Sequence, residues 1–246
     1  MSSPSSRVSA VRLGSGQGRI SVGIATVSWM VCWLAGNVLG SLVIGATGHE
    51  GGTVETPVWV TLLGALALWL PILAGLREVS HRYGLGSMVE DYGLRFQFVD
   101  VVGVPIGVLT QLVLVRLVYW PLESWFPDTF TVSDREENAR TLYDSANGLW
   151  IVGLVLVVVV GAPLVEELLY RGLLQGAFSR RVNDVLALVL VAGWFAVIHF
   201  RPVEYPGLFV VGLVLGTCAL VTRRLGLGIV AHAAFNATGL VWVATR

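Results

Sequence analysis

Two glutamates and an arginine stand at the end of one long apolar segment, residues 148–170, and are the first candidates for chemistry. Glu167 and Arg171 are four residues apart, so on a helix they share one face and can form an ion pair. Glu166 points about a quarter turn away from that face. The spacing therefore predicts that Arg171 neutralises the charge of Glu167. Glu166 is left free to hold a proton, a water molecule or a metal ion.

Two of the four histidines in the chain also fall in apolar segments. His199 ends one such segment, and His232 lies within another, with Asn236 four residues later on the same helix face. Polar and ionisable groups are costly in hydrocarbon, so they indicate a functional site unless they can reach an interface. We therefore group His199, His232 and Asn236 with Glu166, in preference to a set of hydrogen bonds that only joins helices.

This set of side chains is typical of hydrolysis. A carboxylate in a low-dielectric site, with an imidazole beside it, can deprotonate a water molecule for attack on a carbonyl group. A second imidazole and a carboxamide can donate hydrogen bonds to the oxygen on which negative charge develops. Alternatively, Glu166, His199 and His232 could form an open zinc site with a bound water as the nucleophile. The HExxH spacing of common zinc proteases is absent, so the cofactor is either none or zinc.

Helices that cross a membrane must position these residues. The chain has 246 residues, of which 55% are hydrophobic and 13% are charged, and its mean hydropathy is +0.75. Residues 1–19 predict a disordered cytoplasmic tail, and residues 20–246 predict a single all-α transmembrane domain of about seven spans, within a range of six to eight. The predicted spans are residues 20–46, 58–76, 99–120, 148–170, 185–200, 207–221 and 225–244.

The charged residues indicate how the chain lies in the membrane. All sixteen basic residues are arginines and sixteen acidic residues balance them, so the charge predicts no nucleic-acid partner. Arginines near the predicted spans are more numerous on the side of the N-terminus, and short cytoplasmic loops carry such an excess. We predict a multi-pass protein of the cell membrane with a cytoplasmic N-terminus. Arg116, four residues before Trp120, is expected to snorkel to the outer interface.

The longest polar connection, residues 121–147, contains one structural cue. Ser133 followed by Glu136 fits a capping box and predicts a short acidic helix from Asp134 to Ala146. Its charges are typical of a solvated face. A lid that selects the substrate is the alternative function for this helix.

Three motifs in the second half of the chain resemble the CAAX prenyl protease and bacteriocin-processing family of intramembrane peptidases, also called the Abi family. The family pattern is EExxxR, then FxxxH, then HxxxN or HxxxD. The chain has all three in this order: Glu166, Glu167 and Arg171, then Phe195 and His199, then His232 and Asn236. The resemblance covers about residues 148–244.

The resemblance implies an endopeptidase that cleaves membrane-associated proteins or peptides in contact with the bilayer. In the family, the residues that match Glu166 and His199 activate water, and those that match His232 and Asn236 stabilise the oxyanion. Both metal-dependent and metal-free mechanisms are attributed to the family, and we favour the glutamate mechanism. The motifs identify neither the substrate nor whether it is prenylated.

Two alternatives belong to other classes of protein. The same polar cluster could hold together a non-catalytic immunity or partner-binding protein, or Glu166 could carry protons in a transporter.

One expectation conflicts with a site that Glu166, His199 and His232 share. At about 1.5 Å per residue, Glu166 and His232 fall near the middle of the membrane, whereas His199 falls near the outer end of its span, about 10 Å away.

Overall fold

The structure is a computed structural model that describes residues 20–49, 51, 53 and 55–246. The predicted tail, residues 1–19, lies outside the described residues. Within the described part the chain forms nine helices and no strand, which confirms the all-α fold. The helices are α1 (Val22–Ala46), α2 (Val58–Tyr83), α3 (Met88–Tyr92), α4 (Phe98–Trp125), α5 (Val132–Asp144), α6 (Trp150–Phe178), α7 (Asp184–Val197), α8 (Pro202–Thr222) and α9 (Gly226–Ala244).

Six of these helices are long and apolar enough to cross a membrane: α1, α2, α4, α6, α8 and α9. Large apolar side chains cover their outer surface, among them Val27, Leu42, Leu70 and Leu117, each more than half exposed. In a water-soluble protein such surfaces would be buried, whereas in a bilayer the lipid covers them. The prediction of a multi-pass membrane protein with six to eight spans is confirmed.

The predicted span 185–200 is shorter than a full crossing. It forms α7, which has 14 residues and is therefore about 21 Å long, less than the roughly 30 Å of the hydrocarbon core. The chain then reverses at Phe200, whose φ is +53°, and α8 begins at Pro202. His199 therefore follows a short helix at a tight reversal, and the depth that the residue count gives it stays a prediction.

Small residues bring α9 against α4. A Cβ atom at Gly107 would lie 2.1 Å from the carbonyl oxygen of Ala231, and one at Gly103 would lie 2.7 Å from the Ala231 nitrogen. Only glycine permits this approach of the two backbones, as in other close helix pairs in membranes. The contact fixes α9 beside α4 and turns the next residue, His232, into the interior of the bundle, where it is 4% exposed.

The polar connection between α4 and α6 contains the helix expected there. It begins at Val132, after Thr131, whose hydroxyl accepts a hydrogen bond from the Asp134 nitrogen at 3.1 Å. The helix prediction is confirmed, but the predicted cap at Ser133 is wrong by two residues, because the earlier threonine provides the capping oxygen.

A buried ion pair joins the start of α4 to the turn between α8 and α9. The Asp100 carboxylate caps its own helix by accepting the Gln97 N–H at 2.7 Å, and it also pairs with Arg224. Asp100 is 2% exposed and Arg224 is 8% exposed. Two charges so far from solvent stabilise the fold only as long as both are present.

We predict that Asp100→Ala lowers the free energy of unfolding by about 3–5 kcal/mol, because it leaves Arg224 as an uncompensated buried charge. The measurement is unfolding in mixed micelles with an increasing fraction of dodecyl sulfate. Glu78→Gln, which breaks the exposed pair between Glu78 and Arg82, is the control and should cost less than about 1 kcal/mol. Equal losses in the free energy of unfolding for the two substitutions would show that the buried pair does not stabilise the fold.

Candidate active site

Helix α6, which carries both glutamates, is interrupted by two stretches of wider π-helical turns. The first covers Leu156–Gly161 and the second covers Glu167–Gln175, with a short α-helical stretch, Ala162–Glu166, between them. A π-helical turn inserts a residue into the helix and changes the direction of the side chains that follow it. Glu166 and Glu167 therefore sit at the junction between two helical geometries.

Asn236 from α9 supports the first of these stretches. The N–H of Ala162 bonds to the carbonyl of Val157, so the same register would pair the Val158 carbonyl with residue 163. That residue is Pro163, which has no N–H. The side-chain nitrogen of Asn236 instead donates to the Val158 carbonyl at 2.8 Å. One of the two amide hydrogens of Asn236 is thus committed to the backbone of α6.

Glu167 is the centre of the buried polar cluster. Its side chain is 0% exposed, and its Oε1 accepts a hydrogen bond from Arg171 Nη1 at 2.8 Å. His232 Nδ1 lies 3.1 Å from the same oxygen. A carboxylate can only accept, so Nδ1 carries the proton. Glu167 is thus more than the partner of Arg171, because it also orients the imidazole that α9 contributes.

This orientation directs the other nitrogen of His232 towards Glu166. The distance from His232 Nε2 to Glu166 Oε2 is 3.8 Å, too long for a direct hydrogen bond. A water molecule beside the two atoms could contact both of them. The Glu166 side chain is 30% exposed, whereas that of Glu167 is fully buried. Of the two neighbouring carboxylates, only Glu166 is accessible.

His199 approaches the cluster through Phe195. Its Nδ1 lies 2.6 Å from the Phe195 carbonyl oxygen and so acts as a donor, which leaves Nε2 as the free nitrogen. The ring of Phe195 is 4.9 Å from the ring of His199 and 6.1 Å from that of His232. Among the described contacts, none joins His199 directly to Glu166. The two imidazoles share one aromatic neighbour, and Glu166 faces His232.

Residues 148–238 match the family model described as type II CAAX prenyl endopeptidase, Rce1-like. This segment, called the Rce1-like domain, is therefore similar to that family. The match runs from the start of α6 into α9 and includes Glu166, His199, His232 and Asn236, so the resemblance to the CAAX protease family is confirmed there. It supports a CAAX-type intramembrane endopeptidase as the general class. No curated protein and no solved structure matches the chain.

A second pair of contacts, not expected from the motifs, attaches α6 of the Rce1-like domain to α8. Arg171 Nη2 donates to the Gly212 carbonyl at 3.2 Å, and Gln175 Nε2 donates to the Gly216 carbonyl at 2.9 Å. Both side chains are buried. Their spacing of four residues places them on one face of α6, which the sequence could have indicated, although it does not identify the acceptors.

The donor set of the Rce1-like domain does not fit the zinc alternative. In the described part of the chain, no three His, Cys, Asp or Glu side chains converge as metal ligands. A zinc site built from Glu166, His199 and His232 would need a rearrangement of these side chains, and we derive no step through a metal ion.

We predict stability effects of different size for the two adjacent glutamates. Glu167→Gln removes the charge that compensates buried Arg171 and should lower the free energy of unfolding by about 3–5 kcal/mol. Glu166→Gln changes an accessible carboxylate and should cost less than about 1 kcal/mol. Unfolding in mixed micelles measures both variants. If the two variants unfold alike, Glu167 does not compensate Arg171 in the folded protein.

Proposed function

We propose that this protein is an intramembrane endopeptidase that hydrolyses a peptide bond in a membrane-associated protein or peptide, with Glu166 as the general base. The main support is one geometric feature of the Rce1-like domain. Glu166 is an accessible carboxylate 3.8 Å from an imidazole nitrogen, and the adjacent Glu167 is fully buried and already paired. Such a division leaves one carboxylate free for proton transfer.

In the proposed reaction, Glu166 takes a proton from a water molecule that contacts its carboxylate. The oxygen of that water forms a bond to the carbonyl carbon of the scissile peptide, and the carbonyl oxygen becomes an oxyanion. Glu166 then gives the proton to the peptide nitrogen as the carbon–nitrogen bond breaks. The products are a new carboxyl terminus and a new amino terminus, so atoms and protons balance without another reactant.

The oxyanion requires donors of hydrogen bonds. We assign this role to Nε2–H of His232 in its doubly protonated form, whose other N–H is held by Glu167 at 3.1 Å. Asn236 contributes the amide hydrogen that is not bonded to Val158. His199, through its free Nε2, helps to orient the attacking water. In this arrangement Glu167 is a positioning residue that acts through His232.

We predict that Glu166→Gln lowers cleavage at least 100-fold, because a carboxamide cannot accept the proton from water. The measurement compares new protein N-termini in membranes from cells that express the wild type or the variant at equal levels. Glu78→Gln, a change of the same charge at an exposed residue outside residues 148–238, should leave every new terminus in place.

The same comparison of N-termini distinguishes between the other hypotheses. Termini that persist in Glu166→Gln would contradict a role for this carboxylate as the base. An absence of termini that depend on the wild type would favour the non-catalytic immunity or partner-binding function. Loss of cleavage on addition of a zinc chelator, with recovery on addition of zinc, would contradict the metal-free mechanism.

We also propose that the N-terminus is cytoplasmic, because more of the arginines near the spans fall on that side. A cysteine introduced by Ser133→Cys, on α5, should then react with a membrane-impermeant maleimide in intact cells. A cysteine introduced by Ser5→Cys should react only after the cells are opened. The native Cys32 and Cys218 are buried, so the parent protein is the blank. The reverse pattern of labelling would invert the topology.

A further inference from the structure

The chain reversal between α7 and α8, residues 198–201, places His199 next to a strained residue. The φ angle of Phe200 is +53°, in the left-handed region that residues with a Cβ atom rarely adopt. Its ring is 65% exposed and meets the ring of Trp33 only at 5.9 Å. A residue in this region stays there only where the surrounding structure holds it. The contacts that hold Phe200 therefore also decide where the neighbouring imidazole lies.

The preceding helix, α7, fixes the reversal on one side. The N–H of His199 donates to the Ala196 carbonyl at 3.3 Å, and the N–H of Phe200 donates to the Val197 carbonyl at 3.1 Å. The side chain of His199 donates through Nδ1 to the Phe195 carbonyl at 2.6 Å. All three are local contacts between residues three or four positions apart. The other side of the reversal needs contacts with other helices.

Arg201 makes these contacts. Its Nη2 donates to Glu137 Oε2 on α5 at 2.8 Å and to the Asp134 carbonyl at 3.4 Å. Its Nε lies 2.6 Å from Glu204 Oε1 on α8, in an ion pair without the alignment of a hydrogen bond. A single exposed ion pair stabilises little, whereas a charge shared between two carboxylates forms a network. Arg201 thus joins the reversal to two separate helices.

Both of these helices are fixed by contacts of their own. The buried Tyr119 of α4 donates through its hydroxyl to the Val203 carbonyl at 2.7 Å and accepts the N–H of Gly207 at 3.2 Å, which sets the start of α8. On α5, Glu136 accepts the indole N–H of Trp242 from α9 at 2.7 Å. The partners of the guanidinium group therefore do not depend on the reversal for their position.

The contacts of Arg201 lie outside the cavity beside the candidate active site. This cavity has a volume of about 860 Å³, lies between α4, α5, α8 and α9, and includes Asn236 in its wall. Glu204 is also part of the wall, but Arg201 and Glu137 are not. A substitution of Arg201 or Glu137 therefore changes the site through the position of the reversal and not through contact with a molecule in the cavity.

We propose that Arg201 is a positioning residue that acts through His199. Its contacts with Glu137 and Glu204 hold Phe200 in the left-handed region, and this keeps the free Nε2 of His199 directed at the attacking water. Helix α5 is then a fixed support of the site and not a lid. The proposal rests on the proposed function, which gives His199 its part in orienting that water.

The first test follows the tautomer of His199 and requires no cleavage. The chain has four histidines, so labelling with ¹⁵N-histidine gives few ring signals in detergent micelles, and those absent from His199→Gln belong to this residue. At a fixed neutral pH the parent protein should carry the proton on Nδ1, which donates to the Phe195 carbonyl. Arg201→Gln should raise the share of the tautomer protonated on Nε2 about threefold or more, because the released ring leaves that carbonyl.

The control for this test is Arg140→Gln. It removes the same charge from α5, but Arg140 pairs with Glu136 of the same helix and does not contact the reversal. The tautomer of His199 should stay as in the parent protein. Glu137→Gln, at an exposed carboxylate, carries the test in case Arg201→Gln does not fold. An unchanged tautomer in both Arg201→Gln and Glu137→Gln would overturn the proposal.

The second test measures cleavage by the comparison of new N-termini. Arg201→Gln should lower cleavage about tenfold, because a displaced imidazole no longer orients the water. Glu137→Gln alone should lower it about threefold and should have no further effect in the Arg201→Gln protein, as expected for two residues that act through one contact. Additive losses would contradict the link from Glu137 through Arg201.

A substitution at the strained residue itself separates positioning from a general loss of structure. Asparagine adopts the left-handed region more readily than phenylalanine does. Phe200→Asn added to Arg201→Gln should therefore recover cleavage about threefold or more and restore the Nδ1 tautomer of His199. Without any recovery, the strain at Phe200 is not what Arg201 opposes, and the proposal fails.

The two tests also separate this proposal from the proposed function. New termini that depend on Glu166, together with an unchanged tautomer of His199 in Arg201→Gln, would leave the proposed function intact and overturn the role of Arg201. A changed tautomer in a protein that produces no termini dependent on Glu166 would contradict the proposed function and support Arg201 as the residue that positions His199.

Discussion

The buried charge of Arg171 is the constraint on which the centre of this bundle depends. A guanidinium group that is 1% exposed is stable only where anions and acceptors surround it. Glu167 provides the anion, and the Gly212 carbonyl provides a further acceptor. His232 then donates a second hydrogen bond to the same oxygen of Glu167. Satisfying this one charge draws α6, α8 and α9 together, and the same contacts fix the direction of the imidazole that faces Glu166.

The irregular geometry of α6 has a physical cause and a consequence for the site. Pro163 cannot donate to the preceding turn, so the helix widens before it and the Val158 carbonyl takes a donor from another helix, Asn236. A second widened stretch begins at Glu167. Two adjacent residues of identical chemistry therefore have different environments, since Glu167 is buried and Glu166 is accessible.

The sequence alone predicts the elements of this structure better than their contacts. Hydropathy predicts the spans, and helical spacing predicts that Glu167 and Arg171 lie on one face, because both depend on local periodicity. The hydrogen bond between Glu167 and His232 joins residues 65 positions apart. Periodicity predicts which face of a helix a residue lies on, but it does not identify the helix that packs against that face. The early end of α7 was missed for a related reason. Apolar residues continue to Phe200, and the chain reversal at that residue has no signal in hydropathy.

The segments outside the Rce1-like domain are parts of the same core. Trp29 of α1 packs on Trp194 at a ring distance of 4.9 Å and on Tyr170 at 6.1 Å, and Tyr170 contacts Phe195 at 5.2 Å. In α3, Tyr92 lies so close to α6 that a Cβ atom at Gly172 would be 2.7 Å from it. These helices cover sides of α6 and α7 that the match does not reach. Helices from the first half of the chain therefore shield the buried polar cluster of the Rce1-like segment from water. This shielding matters because Arg171 and Glu167 remain paired only where water is excluded.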